Sequence, residues 1–348
     1  MKFSHILGVA ALSVSTAFSG AAFAADINGA GASFPAPVYQ SWAAAYKEKT
    51  GNGMNYQSIG SGGGQNQIVN RTVDFGASDA PMKDDKLEAA NLLQFPTVIG
   101  SVVTIVNIDG IGDGQLKLDG ATIAAIYQGT ITKWNDPKIA ALNKDVKLPD
   151  LAIVPVYRSD SSGTSFVFTS YLASASPEWK SAVGAATSVQ WPAGSGAKGN
   201  EGIAGTVKNT KGAIGFVEYI YAAANKLSTT NLVNKAGKTV KPEHATFMAA
   251  AAAADWKGAK NFAASMVDTS GEGAWPITSA TYILLPKNPT NAAQSAEVIK
   301  FFDWAYGAEG DAIADKLHYI ALPDDVVKAV KDAWKSEVKA DGKAVWTN

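Results

Sequence analysis

The chain has no cysteine. That excludes disulfides, thiol catalysis, thiolate metal sites and a lipid-bearing cysteine at an export cleavage point. Histidine is nearly as scarce, three in 348 residues. His244 and His318 stand far apart with no acid at ligand spacing, so they read as solvated or structural side chains, not as metal ligands or general bases. Charge of either sign is not in excess: the formal net charge is −1 and no basic run occurs. Nucleic-acid binding needs a cationic footprint, and none is present. No P-loop pattern occurs, and no serine stands in a nucleophile elbow.

What is present begins with an export signal. Lys2, an apolar stretch from Ile6 to Phe18 and then Ala22-Phe23-Ala24 predict a signal peptide over residues 1–24, with cleavage after Ala24 or Ala25. The stretch is too short and wrongly flanked for a membrane span, and no later stretch is long and apolar enough to be one. A large cysteine-free exported domain suits a bacterial periplasm, with no lipid anchor. The mature length exceeds what a single core usually holds, so two lobes are expected.

Four stretches share one kind of chemistry. In Tyr157 to Phe168, the apolar segment Leu151–Val156 leads into Arg158, three hydroxyl residues and Gly163, and Phe168, Tyr171 and Leu172 then fall at helical spacing. This reads as strand, turn and helix start. The first turn of a helix has N–H groups without intrahelical partners and carries partial positive charge, so Ser161 to Thr164 form an anion seat beside the guanidinium of Arg158. Taken alone, the stretch has a plainer reading: Ser161 or Ser162 caps a helix, and Arg158 is a solvated partner of Asp160. A second seat is Gly29 to Pro37, where Ser33 and Phe34 precede a helix whose Val38, Trp42, Ala45 and Tyr46 share a face and which ends at Gly51. A third is Gly60-Ser61-Gly62-Gly63-Gly64, between a strand at Met54 to Ile59 and a helix carrying Ile68 and Val69. The fourth, Val73 to Pro81, ends a short strand in Asp79. An acid beside anion seats makes sense if the anion carries a proton for Asp79 to accept.

The near-continuous apolar runs Phe95–Ile108 and Ile277–Leu285 read as buried strands crossing between the lobes. They set lobe I at 25–107 and 279–348 and lobe II at 108–278. Helices are expected around Ile123–Tyr127, from Thr164, at Phe247–Trp256 and at two amphipathic stretches, one with Val298, Ile299, Phe302 and Tyr306, the other with Val326, Val327, Val330 and Trp334. Ala213–Tyr219 reads as a strand and Val189–Asn200 as a glycine-rich loop. Phe301 and Trp304 read as packing residues. Gly194-Ser195-Gly196-Ala197-Lys198-Gly199 matches the dinucleotide fingerprint, but only the stub Val189–Trp191 precedes it and Pro192 interrupts. A loop that lets backbones pass closely is the better account.

Gly-Ala-Gly-Ala-Ser-Phe-Pro-Ala-Pro from Gly29, Ile-Gly-Ser-Gly-Gly-Gly from Ile59, Val-Asp-Phe-Gly-Ala-Ser-Asp-Ala-Pro from Val73 and Arg-Ser-Asp-Ser-Ser-Gly-Thr-Ser-Phe from Arg158 together resemble the periplasmic phosphate-binding proteins of bacterial phosphate ABC transporters. Gly-Ala-Ile-Gly-Phe-Val-Glu-Tyr from Gly212, Ala-Trp-Pro-Ile-Thr-Ser from Ala274 and Lys-Phe-Phe-Asp-Trp-Ala-Tyr from Lys300 extend the resemblance over essentially the whole mature chain. It implies an α/β, two-lobed periplasmic-binding-protein fold of type II, each lobe a mixed sheet flanked by helices, with the ligand in the cleft. It also implies a non-enzymatic receptor, selective for phosphate over sulfate, that delivers phosphate to a membrane permease and its ATPase. No metal or cofactor is implied, and a monomer is expected.

Carried over, the phosphate contacts fall on Ser33, Phe34 through its backbone N–H, Ser61, Asp79, Arg158, Ser162, Gly163 and Thr164, with Asp160 holding the arginine. The family often has threonine where this chain has Ser33, and the hydroxyl survives. Cleavage after Ala25 would expose Asp26-Ile27-Asn28-Gly29, resembling the start of the related DING proteins. The alternatives are a phosphatase-like enzyme, a binder of another oxyanion such as sulfate, molybdate or arsenate, and a structural or adhesive surface protein. Arsenate protonates as phosphate does and is the competitor to expect.

Overall fold

The computed structural model describes residues 26–347, and the expected signal segment lies outside them. The central sheet runs in the order Met54–Ser58, Ile27–Gly31, Phe75–Ser78, Ile277–Pro286, Leu92–Val106, Ala213–Glu218, Val154–Arg158, Ser195–Ala197. The first three strands are mutually parallel, and so are the last three. Ile277–Pro286 and Leu92–Val106 run antiparallel to their neighbours between these two groups. Leu92–Val106 holds the halves together: Leu92–Ser101 pairs with Ile277–Pro286, and Val102–Val106 pairs with Ala213–Glu218. All 15 of its residues are buried. Both faces are covered, which is why the sequence there is apolar without alternation.

Pro96 has no N–H for the ladder, and it sits beside a register shift at Thr281/Tyr282. Bulges are where sheets accept proline. The residue left over by the shift, Thr97, bonds its hydroxyl to that of Tyr39 at 2.7 Å.

The parallel strands matter most for the site. Ile27–Gly31, Met54–Ser58, Val154–Arg158 and Ser195–Ala197 are each followed by a helix, at Ala36–Thr50, Ser61–Val69, Gly163–Ala175 and Gly199–Asn209. Helices that follow parallel strands begin at the strands' carboxyl edge, so their N-termini collect beside the cleft. The first three of these helices lie where the sequence signals fall, and Gly199–Asn209 was not expected. Gly51, at φ 80°, accepts the left-handed turn that ends the first helix, and Lys47 and Lys49 occupy its last turn.

One expectation is corrected. Val189–Asn200 is not loop throughout: Ser195–Ala197 pairs in parallel with Val156–Arg158, and Gly199 opens a helix. Residues this small and polar carry no period-2 signal, and the strand exists only because a neighbour offers its edge. Gly194, at φ 103°, brings the chain so close that a side chain there would meet the carbonyl oxygen of Pro155 at 2.3 Å.

Aromatic packing fills both halves. Phe302 meets Tyr39, Phe75 and Phe95 edge-on, while Phe168 stacks on Phe216 with ring centroids 4.1 Å apart. Phe301 is buried and Trp304 packs against Tyr46. His244 faces Asp315 at 3.4 Å, and His318 stands at right angles to the ring of Tyr219. Among the described residues no helix is long and apolar enough to cross a membrane.

Candidate functional site: a buried anion seat between helix starts

The stretches singled out in the sequence meet at the sheet's carboxyl edge. The Ser61 hydroxyl oxygen accepts from Gly163 N–H at 3.0 Å and from Asp79 N–H at 3.2 Å. The Ser33 oxygen accepts from Asn200 twice, from its backbone N–H at 3.2 Å and from Nδ2 at 2.8 Å. Nδ2 of the same Asn200 reaches Thr164 Oγ1 at 3.2 Å, and Arg158 donates to that oxygen as well, at 3.3 Å. Ser162 caps its helix by accepting Ser165 N–H at 3.0 Å. Phe34 lies next to Ser33, and its carbonyl accepts the Tyr319 hydroxyl at 2.6 Å. Of Ser33, Phe34, Ser61, Asp79, Arg158, Ser162 and Thr164, none is more than 3% exposed.

These bonds give the hydroxyls a direction. A serine or threonine oxygen has two lone pairs and one O–H. In Ser33, Ser61 and Thr164 both lone pairs are taken by N–H donors, so each is left able only to donate. Asp79 is the opposite case. Its Oδ1 accepts the Thr281 hydroxyl at 2.8 Å, while Oδ2 is buried with no hydrogen-bond partner among the described residues. The residues that the sequence singled out thus present several donors and one open acceptor.

The charges are arranged to match. Arg158 forms a two-pronged pair with Asp160, Nε to Oδ1 at 2.8 Å and Nη2 to Oδ2 at 2.6 Å, which leaves Nη1 facing Thr164. The plainer sequence reading had Asp160 as the partner but Arg158 in solvent; the structure buries the arginine. Burial alone would raise Asp160, but the hydrogen bonds and charge of Arg158 and the N–H of Gly199 outweigh it and hold the carboxyl below its ordinary range. Asp79 goes the other way. Burial pushes its pKa from 3.8 up to about 7, against the opposing pull of Thr281, Arg158 and Ser61. A second buried acid, Glu218, lies beside Asn200: its N–H donates to Asn200 Oδ1 at 3.0 Å, and its Oε2 accepts Ile220 N–H at 2.9 Å. Burial raises its carboxyl well above the ordinary range.

A family model for a PBP superfamily domain matches residues 16–309. The phosphate-binding protein PstS of Pasteurella multocida is 50% identical over 324 residues, covering 93% of this chain and 94% of that protein. That of Haemophilus influenzae is 49% identical over 314 residues, covering 90% and 94%. The chain belongs to the PstS family of phosphate-binding proteins. A crystal structure of a DING protein superposes with a TM-score of 0.73 at 20% identity, covering 92% of this chain and 99% of that one, which bears on the fold alone. The fold is the two-lobed, type II periplasmic-binding-protein fold.

Within this PstS-family frame, sequence reasoning missed three residues that shape the seat. Asn200 was hidden because its stretch resembled a failed nucleotide motif; the usable signal was again glycine followed by a polar residue at a helix start. Thr281 had a fainter one, a hydroxyl inside an otherwise buried apolar strand. Tyr221, whose hydroxyl donates to the Ser33 carbonyl at 2.6 Å, had none, since an aromatic in a short helix reads as packing.

Proposed function

We propose that this chain is a non-enzymatic periplasmic receptor that binds inorganic phosphate between its lobes, as a monomer, and delivers it to the permease and ATPase of a phosphate ABC transporter. Relatives 50% identical are named phosphate-binding proteins, and the donor polarity of the seat carries the reading at the level of chemistry. Ser33, Ser61, Ser162 and Thr164 offer hydroxyl donors, Phe34 its N–H, Arg158 the Nη1 hydrogen that Thr164 does not take, and Gly163 an N–H that bifurcates between Ser61 and the anion. Asp79 Oδ2 takes the one proton of monohydrogen phosphate. Asp160 orients the arginine. Calorimetric titration with phosphate and then sulfate, after unfolding and refolding to strip bound ligand, tests the assignment; no heat with phosphate would overturn it. A phosphate-monoester assay on the same protein discriminates the enzyme alternative, in which phosphate would be a product.

Selectivity follows from Asp79. Sulfate has no proton at neutral pH, so it would meet an ionised Oδ2 with nothing between them. With its pKa near 7, Asp79 is ionised above that value and neutral below it, and the neutral acid donates where the carboxylate repels. Sulfate is therefore expected to bind weakly at pH 5 and not at pH 8.5. Asp79→Asn should keep phosphate binding and admit sulfate equally at both. Competition titrations at the two pH values check this, and sulfate excluded by Asp79→Asn as strictly as by the wild type would sink the account.

We also propose the lobe boundaries expected from the sequence, lobe I at 25–107 with 279–348 and lobe II at 108–278. The bonds from Asn200 and Tyr221 to Ser33 and from Gly163 to Ser61 then all join the two lobes. Phosphate should lower the radius of gyration in small-angle scattering. An unchanged radius on saturation would mean that the lobes do not move.

A further inference from the structure

Asn200 lies outside the four anion-seat stretches of the sequence, yet it reaches both Ser33 and Thr164. It is fully buried at the start of the helix Gly199–Asn209. Its Oδ1 accepts the N–H of Glu218 at 3.0 Å, a backbone donor that cannot turn away. That contact fixes the orientation of the amide, and Nδ2 must then face the hydroxyls of Ser33, at 2.8 Å, and Thr164, at 3.2 Å. Both amide hydrogens are used, one on each oxygen. The backbone N–H of Asn200 fills the second lone pair of Ser33, and Arg158 fills that of Thr164.

We infer that Asn200 is the positioning residue that makes Ser33 and Thr164 obligate donors to the anion and ties their two segments together around it. The inference rests on the phosphate-receptor reading. A hydroxyl free to rotate spends part of its time presenting a lone pair to the anion, which is repulsive; one whose lone pairs are occupied presents only its hydrogen. Asn200 supplies that constraint twice, from one side chain. It also draws Ser33 towards Thr164, and the Tyr221 hydroxyl on the Ser33 carbonyl reinforces the link. The role is one of orientation, and no direct contact with the anion is needed.

Asn200→Asp is nearly isosteric but reverses the polarity. Its second carboxylate oxygen would accept from Ser33 and Thr164, turn both O–H groups away from the cleft and add negative charge beside a dianion. Phosphate affinity should fall about a hundredfold or more at pH 8. Asn200→Ala merely frees the two hydroxyls and should cost about tenfold. A structural role would cost the same whether or not the hydroxyls are present, whereas a positioning role would not. The decisive measurement is therefore a cycle by calorimetry. Asn200→Ala is measured in the wild-type background and again in Ser33→Ala/Thr164→Val, where its cost should shrink to less than about twofold.

If the wild type binds phosphate and Ser33→Ala weakens it, the receptor reading stands. Equal costs of Asn200→Ala in the two backgrounds would then overturn the positioning role alone. Should Asn200→Ala unfold before it can be titrated, Asn200→Asp carries the test, and wild-type affinity in that variant at pH 8 would equally overturn it. A wild type that binds no phosphate would remove the receptor reading itself.

Discussion

Arg158→Ala is expected to weaken phosphate binding by roughly tenfold to hundredfold at the least, and to do so without unfolding the protein. A hydrogen bond to a charged group contributes about 1.5–3 kcal/mol, and more where the site is dry. This one is dry, because Arg158 is 3% exposed. The loss is compounded by what stays behind. Asp160 keeps the N–H of Gly199 but loses both prongs of the guanidinium, so an uncompensated carboxylate faces the incoming anion. Arg158→Lys should recover only part of the affinity, since an ammonium is a point charge that cannot hold Asp160 with two prongs and Thr164 with a third donor at once. Asp160→Asn should cost less than either, because it loosens the arginine without deleting its charge. Titrations placing affinity in the order wild type, Asp160→Asn, Arg158→Lys, Arg158→Ala would support the scheme, and wild-type binding by Arg158→Ala would refute it.

Gly163→Ala is expected to be still more damaging to binding, for a reason of space and not of charge. A methyl at position 163 would stand 2.5 Å from Asp79 Oδ2 and 2.5 Å from Ser61 Oγ. Neither neighbour is the far end of a flexible chain: Ser61 is held by two N–H groups and Asp79 by Thr281. Alanine suits a helix start, so the helix Gly163–Ala175 should form as before. The segments bearing residues 61 and 163 would instead be kept apart, and the seat would never assemble around its ligand. A loss of at least about a hundredfold follows if two or more hydrogen bonds to the anion are forfeited together. Scattering should show no compaction with phosphate, and thermal melting of the ligand-free variant should stay close to that of the wild type. Binding within a few-fold of wild type would mean that residue 163 does not sit in the closing seam.

The local features of this protein were legible because their causes are local. A helix start needs a cap and offers free N–H groups to whatever lies in front of it, so Ser61, Ser162 and Gly163 declared a donor-rich turn from neighbouring residues alone. Arg158 and Asp160 are two positions apart, and their pairing could be read from that spacing. The apolar run Phe95–Ile108 signalled a buried strand, which lies at Leu92–Val106; the register shift beside Pro96 came only with the pairing to Ile277–Pro286. The small polar strand Ser195–Ala197 could not be read, since nothing in those residues prefers an extended chain until the edge of Val154–Arg158 is there to receive it.

What the tertiary structure alone decided is the state of each functional group. Asn200 and the Ser33 oxygen it fills are 167 positions apart, and the Thr281 hydroxyl that engages Asp79 is 202 away. Whether a hydroxyl donates or accepts, and whether a carboxylate is charged at neutral pH, depends on which groups from remote segments occupy its lone pairs and exclude water. The residue types at the seat, and the stretches that carry them, were fixed by sequence. Their polarity was settled only when four helix starts were brought to one edge of a sheet and buried together, because hydrogen-bond direction and desolvation are properties of neighbours in space.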